Sequence, residues 1–209
     1  MRPDYWDTAA RALAKRDPVL RRLRARFPDI AMMRRYDPFT TLARAITGQQ
    51  ISVKAAETVW LRVVTAANGK PHRLGPPSIL ALQPDSLRSC GLSSRKAEYI
   101  RDLAERFADG RIRPRRWQAM DDEAVIEELV AVKGIGRWTA EMFLMFSLLR
   151  PDVLPVDDIG LQRAVEQLYN DGNKLTIKEL REIGQAWAPW RSVATWYLWR
   201  SLEPEPVQY

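Results

Sequence analysis

Apolar residues return at three- and four-residue spacing along almost the whole chain, and no segment alternates apolar with polar over the length of a strand. A chain patterned this way buries its apolar faces by packing helix against helix. The punctuation agrees. Asp17-Pro18 and Asp37-Pro38 each offer an N-cap followed by proline in the first turn, where its missing N–H costs nothing. The first introduces VLRRLRARF and the second FTTLARAIT. In SVKAAETVWLRVVTAANG, Val53, Ala56, Val59, Trp60 and Val63 share one face, and Asn68-Gly69 supplies a C-cap. In SSRKAEYIRDLAERFADG, Ser93 or Ser94 caps, Ile100, Leu103 and Phe107 form the stripe, and Gly110 ends it. A basic connector, RIRPRRW, leads into DDEAVIEELVAVK, whose acidic first turn suits the helix dipole. GRWTAEMFLMFSLL, an extended RPDVLPV, DDIGLQRAVEQLY, TIKELREIGQAWA and PWRSVATWYLWRSL complete the chain. The expectation is an all-α protein of about ten short helices.

Composition narrows the functions open to such a fold. With 209 residues the chain can bury a core as one domain or as two closely packed lobes. The N-terminus is polar and charged, unlike a signal peptide, and no apolar run approaches the roughly 18 residues of a membrane span. A reducing, intracellular setting is the default. Cys90 is the only cysteine, which excludes an intrachain disulfide and a four-thiolate iron–sulfur cluster. The one histidine, His72, lies in NGKPHRLGPP and reads as a surface loop residue, so no side-chain metal site is expected. The net charge of +7, from 33 Lys and Arg against 26 Asp and Glu, favours a polyanionic partner, nucleic acid above all.

LVAVKGIGRWTA reads as helix, tight turn, helix. Gly134 and Gly136 can take the positive-φ conformations of a reversal and let another backbone approach closely. The second helix starts at the turn, so its N–H groups and positive dipole end suit a phosphate, and Lys133 and Arg137 flank the site. The alternative is a sharp corner between two helices with no ligand. A second feature is LPVDDIGLQRAV, where adjacent carboxylates Asp157 and Asp158 precede a helix that one of them should cap.

Taken together, these segments resemble the hairpin and the aspartate-bearing loop of the helix-hairpin-helix DNA glycosylase superfamily. TTLARAITGQQISVKAAETVW, SCGLSSRKAEYIRDLA and WAPWRSVATWYLW resemble its 3-methyladenine DNA glycosylase II branch, in a short form without the N-terminal β-containing domain. The resemblance runs from about Phe39 to Trp199. It implies two helical lobes with the active site in the cleft between them. One lobe spans 36–150 and ends in the hairpin; the other combines 1–35 with 151–209.

The resemblance also assigns residues. Asp158 falls at the catalytic position. A carboxylate there would stabilise the positive charge that builds on deoxyribose as the base leaves, and could orient the attacking water. Trp138, Met142 and Trp199 are the candidates for the base pocket. Met142 stands where a relative carries an aromatic residue. An indole face attracts a cationic N-alkylpurine by roughly 0.5–2 kcal/mol. Of the 8 tryptophans, Trp60, Trp187, Trp190 and Trp196 read instead as core. Members that also cut the strand carry a lysine where this chain has Trp138, so a monofunctional enzyme is expected.

For DNA contact the resemblance marks Lys133, Gly134, Ile135, Gly136, Arg137 and Thr139 at the hairpin. In ITGQQIS, Gln50, with Ile51 second, is the candidate to fill the gap left by a flipped base. A helix-terminal turn is the other reading of the same pair. Arg95 and Lys96, at a helix start, read as phosphate contacts or as an ordinary solvated face. No cofactor is required, because water is the nucleophile; a monovalent cation on the backbone at Gly134 and Gly136 is compatible with the resemblance. The expected partner is double-stranded DNA carrying alkylated bases, met by a monomer, in the bacterial cytoplasm at the nucleoid or in a eukaryotic nucleus. Two other readings stay open: a superfamily glycosylase for another damaged base, and a helix-hairpin-helix protein that binds DNA or lesions without catalysis.

Overall fold

The structure, a computed structural model, describes residues 2–34, 36–70 and 73–202. His72 lies outside them. Among the described residues are twelve α-helices and one 3-10 helix. They contain no strand, only an isolated antiparallel bridge between Lys70 and Arg73. None of these helices is long and apolar enough to cross a membrane. The chain divides into two units, one formed by Met1–Arg34 with Leu144–Tyr209 and the other by Arg35–Phe143.

The discontinuous unit holds α1 (Trp6–Arg16), α2 (Pro18–Arg26), α10 (Ile159–Tyr169), α11 (Ile177–Gln185) and α12 (Arg191–Leu202). Asp17 caps α2 by accepting from the amides of Val19 and Leu20, with Pro18 in the first turn. Thr176 and Glu179 form a reciprocal capping box on α11. α12 is buried around its whole circumference, every residue from Ser192 to Arg200 included. Such a helix belongs at the centre of a core; α1, α2 and α10 pack around it. Trp187 is fully buried, whereas Trp190 is half-buried and stacks on Tyr5 at 5.7 Å.

The continuous unit runs α3 (Pro38–Gly48), α4 (Val53–Ala66), α5 (Pro76–Leu80), α6 (Pro84–Ser89), α7 (Ser94–Ala108), a 3-10 helix (Pro114–Ala119) and α8 (Asp122–Val130). It ends within α9 (Arg137–Phe146), where the division between the units falls. Asp37 caps α3, Ser52 caps α4 and Ser93, rather than Ser94, caps α7. α4 closes with Asn68 at φ 49° and the Gly69 amide donating to Val64 O. Asn68 therefore takes the left-handed position, and Gly69 follows it. The basic connector is the 3-10 helix, and it buries Trp117 completely, with the indole N–H on Glu128. α3, α5 and α6 pack on α7, which forms the spine of this unit.

Candidate active site and DNA-binding hairpin

The hairpin joins α8 to α9 through Ala131–Gly136, and its two glycines do different work. Gly134 has φ 80°, and a Cβ there would overlap the Tyr99 ring of α7. Both the conformation and the packing therefore demand glycine at 134. Gly136 is not among the positive-φ residues, and a Cβ there would meet nothing within 4 Å. The backbone at Gly136 is thus open on the side where a Cβ would stand. Ile135, between them, is buried and anchors the turn. α9 then begins, with Gly136 O accepting the Ala140 amide at 3.0 Å. The first-turn N–H groups of a helix have no partner within it, the arrangement that receives a phosphate.

The side chains around this turn are not simply a cationic frame. Arg137 is held by Glu123 at 2.9 and 2.5 Å and by Glu141 at 3.1 Å. Its pKa is raised, first by the hydrogen bond to Glu123. Lys133 pairs with Glu98 at 2.5 Å, which likewise raises its pKa. Both flanking charges are thus engaged by carboxylates in exposed ion pairs. Thr139 is buried, so its side chain belongs to the interior. Gly134 O accepts the Gln49 amide at 2.8 Å and Gly136 O accepts Ala140 N, so both carbonyls considered for a cation already take one hydrogen bond. Among the described residues no group of His, Cys, Asp or Glu could hold a metal ion.

Trp138 follows the turn on α9 and is 39% exposed, a high value for an indole. Met142, one turn further, is buried. In the turn between α3 and α4, Gln50 is exposed at φ 59° and Ile51 is 41% exposed. A left-handed glutamine is uncommon outside turns that something holds in place. Arg95 is exposed in the first turn of α7. Lys96 goes elsewhere: its ammonium donates to Thr47 O at 2.9 Å and Gln49 O at 2.5 Å.

In the discontinuous unit, Asp158 and Trp199 come together. Asp158 is the N-cap of α10, only 7% exposed, and its Oδ1 accepts Leu161 N at 2.6 Å and Trp199 Nε1 at 2.8 Å. The cap and the catalytic candidate are therefore one residue, while Asp157 is exposed. Two donors from different helices fix the orientation of this carboxylate. Trp199 itself stacks on Phe146 at 6.0 Å with 19° between planes and meets Trp196 edge-on at 6.3 Å.

Gly160 belongs to the same cluster, though its role is not legible in the sequence. A Cβ there would stand 3.1 Å from Asp158 Oδ1 and 3.2 Å from the Trp199 ring. A glycine within α10, where a helix has no need of one, is the signal a sequence could carry. The indole reaches Asp158 because residue 160 has no side chain. Gly160→Ala is expected to push the Trp199 ring and the carboxylate apart by a few tenths of an ångström, cutting base excision up to about tenfold by loss of alignment. Unchanged excision together with a retained Trp199–Asp158 contact would refute this.

The all-α architecture and this hairpin define a helix-hairpin-helix DNA glycosylase fold. The model of the HhH-GPD superfamily base excision DNA repair proteins matches residues 43–189, and the chain belongs to that superfamily. It is 34% identical over 171 residues to DNA-3-methyladenine glycosylase 1 of Schizosaccharomyces pombe, covering 81% of this chain and 74% of that protein. Among solved structures, DNA-3-methyladenine glycosidase from Bacillus halodurans superposes with a TM-score of 0.86 at 37% identity, over 93% of this chain and 89% of that one. The 3-methyladenine DNA glycosylase of Schizosaccharomyces pombe in complex with abasic DNA superposes with a TM-score of 0.79 at 30% identity, over 96% of this chain and 100% of that one.

Proposed function

We propose that the protein is a monofunctional DNA glycosylase that flips alkylated purines of the 3-methyladenine and 7-methylguanine type out of double-stranded DNA and hydrolyses their N-glycosidic bonds, starting base excision repair. The observation that carries this reading is the Asp158 carboxylate, buried at the head of α10 and clamped by Trp199 and Leu161. As the bond from C1′ to the base nitrogen breaks, its electron pair leaves with the base and positive charge builds on the sugar. A fixed, desolvated carboxylate stabilises that charge more in the transition state than in the ground state. Water then adds to C1′ and loses a proton, for which Asp158 is the base. An N-alkylated purine is already cationic, so the bond is weakened before the enzyme acts.

Trp138, Met142 and Trp199 keep the base-contacting role that the resemblance assigns them, and Gln50, with Ile51 second, is the residue that fills the vacated stack. The open backbone at Gly136 receives a phosphate of the duplex. The site of action is the chromosome, in a nucleoid or a nucleus. Trp138 has no amine to attack the sugar, so the product is an intact strand with an abasic site.

Incubation with methylated duplex DNA is expected to release free 3-methyladenine or 7-methylguanine, and borohydride added during turnover to trap no covalent adduct. Tight binding of methylated DNA without base release would identify a lesion-binding protein instead. A trapped adduct would overturn the monofunctional assignment.

A further inference from the structure

In the unit 35–143, the hairpin and the Gln50 turn lie far apart in sequence yet are tied by side chains that serve neither as nucleophile nor as pocket wall. Gln49 Nε2 donates to Gly134 O at 2.8 Å, so one amide spans directly from the turn to the hairpin. Lys96 Nζ donates to Thr47 O at 2.9 Å and Gln49 O at 2.5 Å, holding the last carbonyls of α3 and the peptide just before left-handed Gln50. An ammonium on carbonyls at a helix C-terminus is favourably placed. The Lys96 side chain is partly buried, and burial lowers its pKa. Further along α7, the Tyr99 ring lies where a side chain on Gly134 would go, and Asp102 accepts the Lys133 amide at 2.9 Å. One face of α7 thus grips both loops.

We infer that Lys96 and Gln49 are positioning residues that lock the Gln50 turn to the hairpin, so that a phosphate held at the hairpin sets where Gln50 enters the duplex. This rests on the glycosylase reading for its consequence, though not for the geometry. It gives Lys96 a place different from the phosphate contact that its position at a helix start suggests. A phosphate contact adds affinity for any duplex; a lock between two loops adds alignment at the lesion and leaves general affinity alone.

Two variants, Lys96→Met and Gln49→Leu, separate these roles. In the free proteins, amide exchange at residues 49–52 and 134–136 is expected to quicken in both variants, with the melting temperature little changed. Single-turnover excision from a duplex carrying one 7-methylguanine is expected to fall about 10- to 100-fold, as loss of alignment does. Affinity for the undamaged duplex and its salt slope stay at the wild-type values. Lys96→Arg, which can still reach both carbonyls, restores the rate. The double variant is no worse than the more severe single one, because both break the same connection.

A salt slope shallower by about one, with affinity lost equally on all sequences, would make Lys96 a phosphate contact and overturn the inference. So would wild-type exchange at residues 134–136 in both variants. If the wild-type protein releases no alkylated base, the proposed function fails, and the exchange measurement still decides the lock.

Discussion

Asp158→Asn is expected to lower single-turnover release of alkylated purines by about 10²–10³-fold, the usual effect of removing a preorganised electrostatic partner of the transition state. Duplex affinity and melting temperature should stay at their wild-type values. The donors Leu161 N and Trp199 Nε1 converge on one oxygen, Oδ1. The asparagine side-chain oxygen can accept both, and asparagine is as good an N-cap as aspartate. α10 and the Trp199 indole therefore stay in place while the negative charge is lost. Asp158→Ala removes cap and charge together. It should lose a further ~1 kcal/mol of stability, which in a chain of this size is roughly 2–4 °C of melting temperature. Excision by Asp158→Asn within tenfold of wild type would show that the carboxylate is a cap and nothing more.

What the sequence reveals of this site is what local chemistry encodes. The caps at Asp17, Asp37 and Ser93 are legible because a side-chain oxygen and the amide it accepts from lie two or three residues apart. Gly134 is legible for the same reason: a reversal between two helices needs a positive φ in a short stretch. Trp60 is legible from its place on an apolar face, and it is buried.

What stays hidden is every pairing that only tertiary structure creates. Lys133 and Arg137 look like free charges beside a turn, yet packing brings Glu98 of α7 to the first and Glu123 of α8 to the second. Lys96 looks like a basic residue at a helix start, and only the packing of α3 against α7 sets the Thr47 and Gln49 carbonyls before it. Gly160 looks like a weak point in a helix until α12 brings Trp199 against it. Asp158 illustrates the limit from the other side. Capping and catalysis look like competing accounts of two adjacent aspartates, and the fold places the cap on the very residue proposed for the chemistry.

The largest expected loss of stability belongs to Asp17→Ala, in the same unit as Asp158. Asp17 too is a buried N-cap that accepts an indole N–H, and it uses both oxygens. Oδ1 takes Val19 N at 2.8 Å and Leu20 N at 3.0 Å; Oδ2 takes the Tyr169 hydroxyl at 2.8 Å and Trp187 Nε1 at 3.2 Å. The N-terminal helices are thereby tied to α10 and to the chain following α11. Burial and the Asp17 charge raise the Tyr169 pKa, so the phenol remains a donor across the working pH range. Truncation removes the cap and the carboxylate acceptor of both the Tyr169 hydroxyl and the fully buried Trp187 N–H. The sum is about 3 kcal/mol, or roughly 6–12 °C in melting temperature, with excision retained below the transition. Asp17→Asn should fall between, since its single oxygen can satisfy the helix amides or the tyrosine and tryptophan, not both sets. Thermal melts of the wild-type protein, Asp17→Asn and Asp17→Ala side by side test that order. Equal melting temperatures for the wild type and Asp17→Asn would mean that the second oxygen of Asp17 contributes nothing to stability.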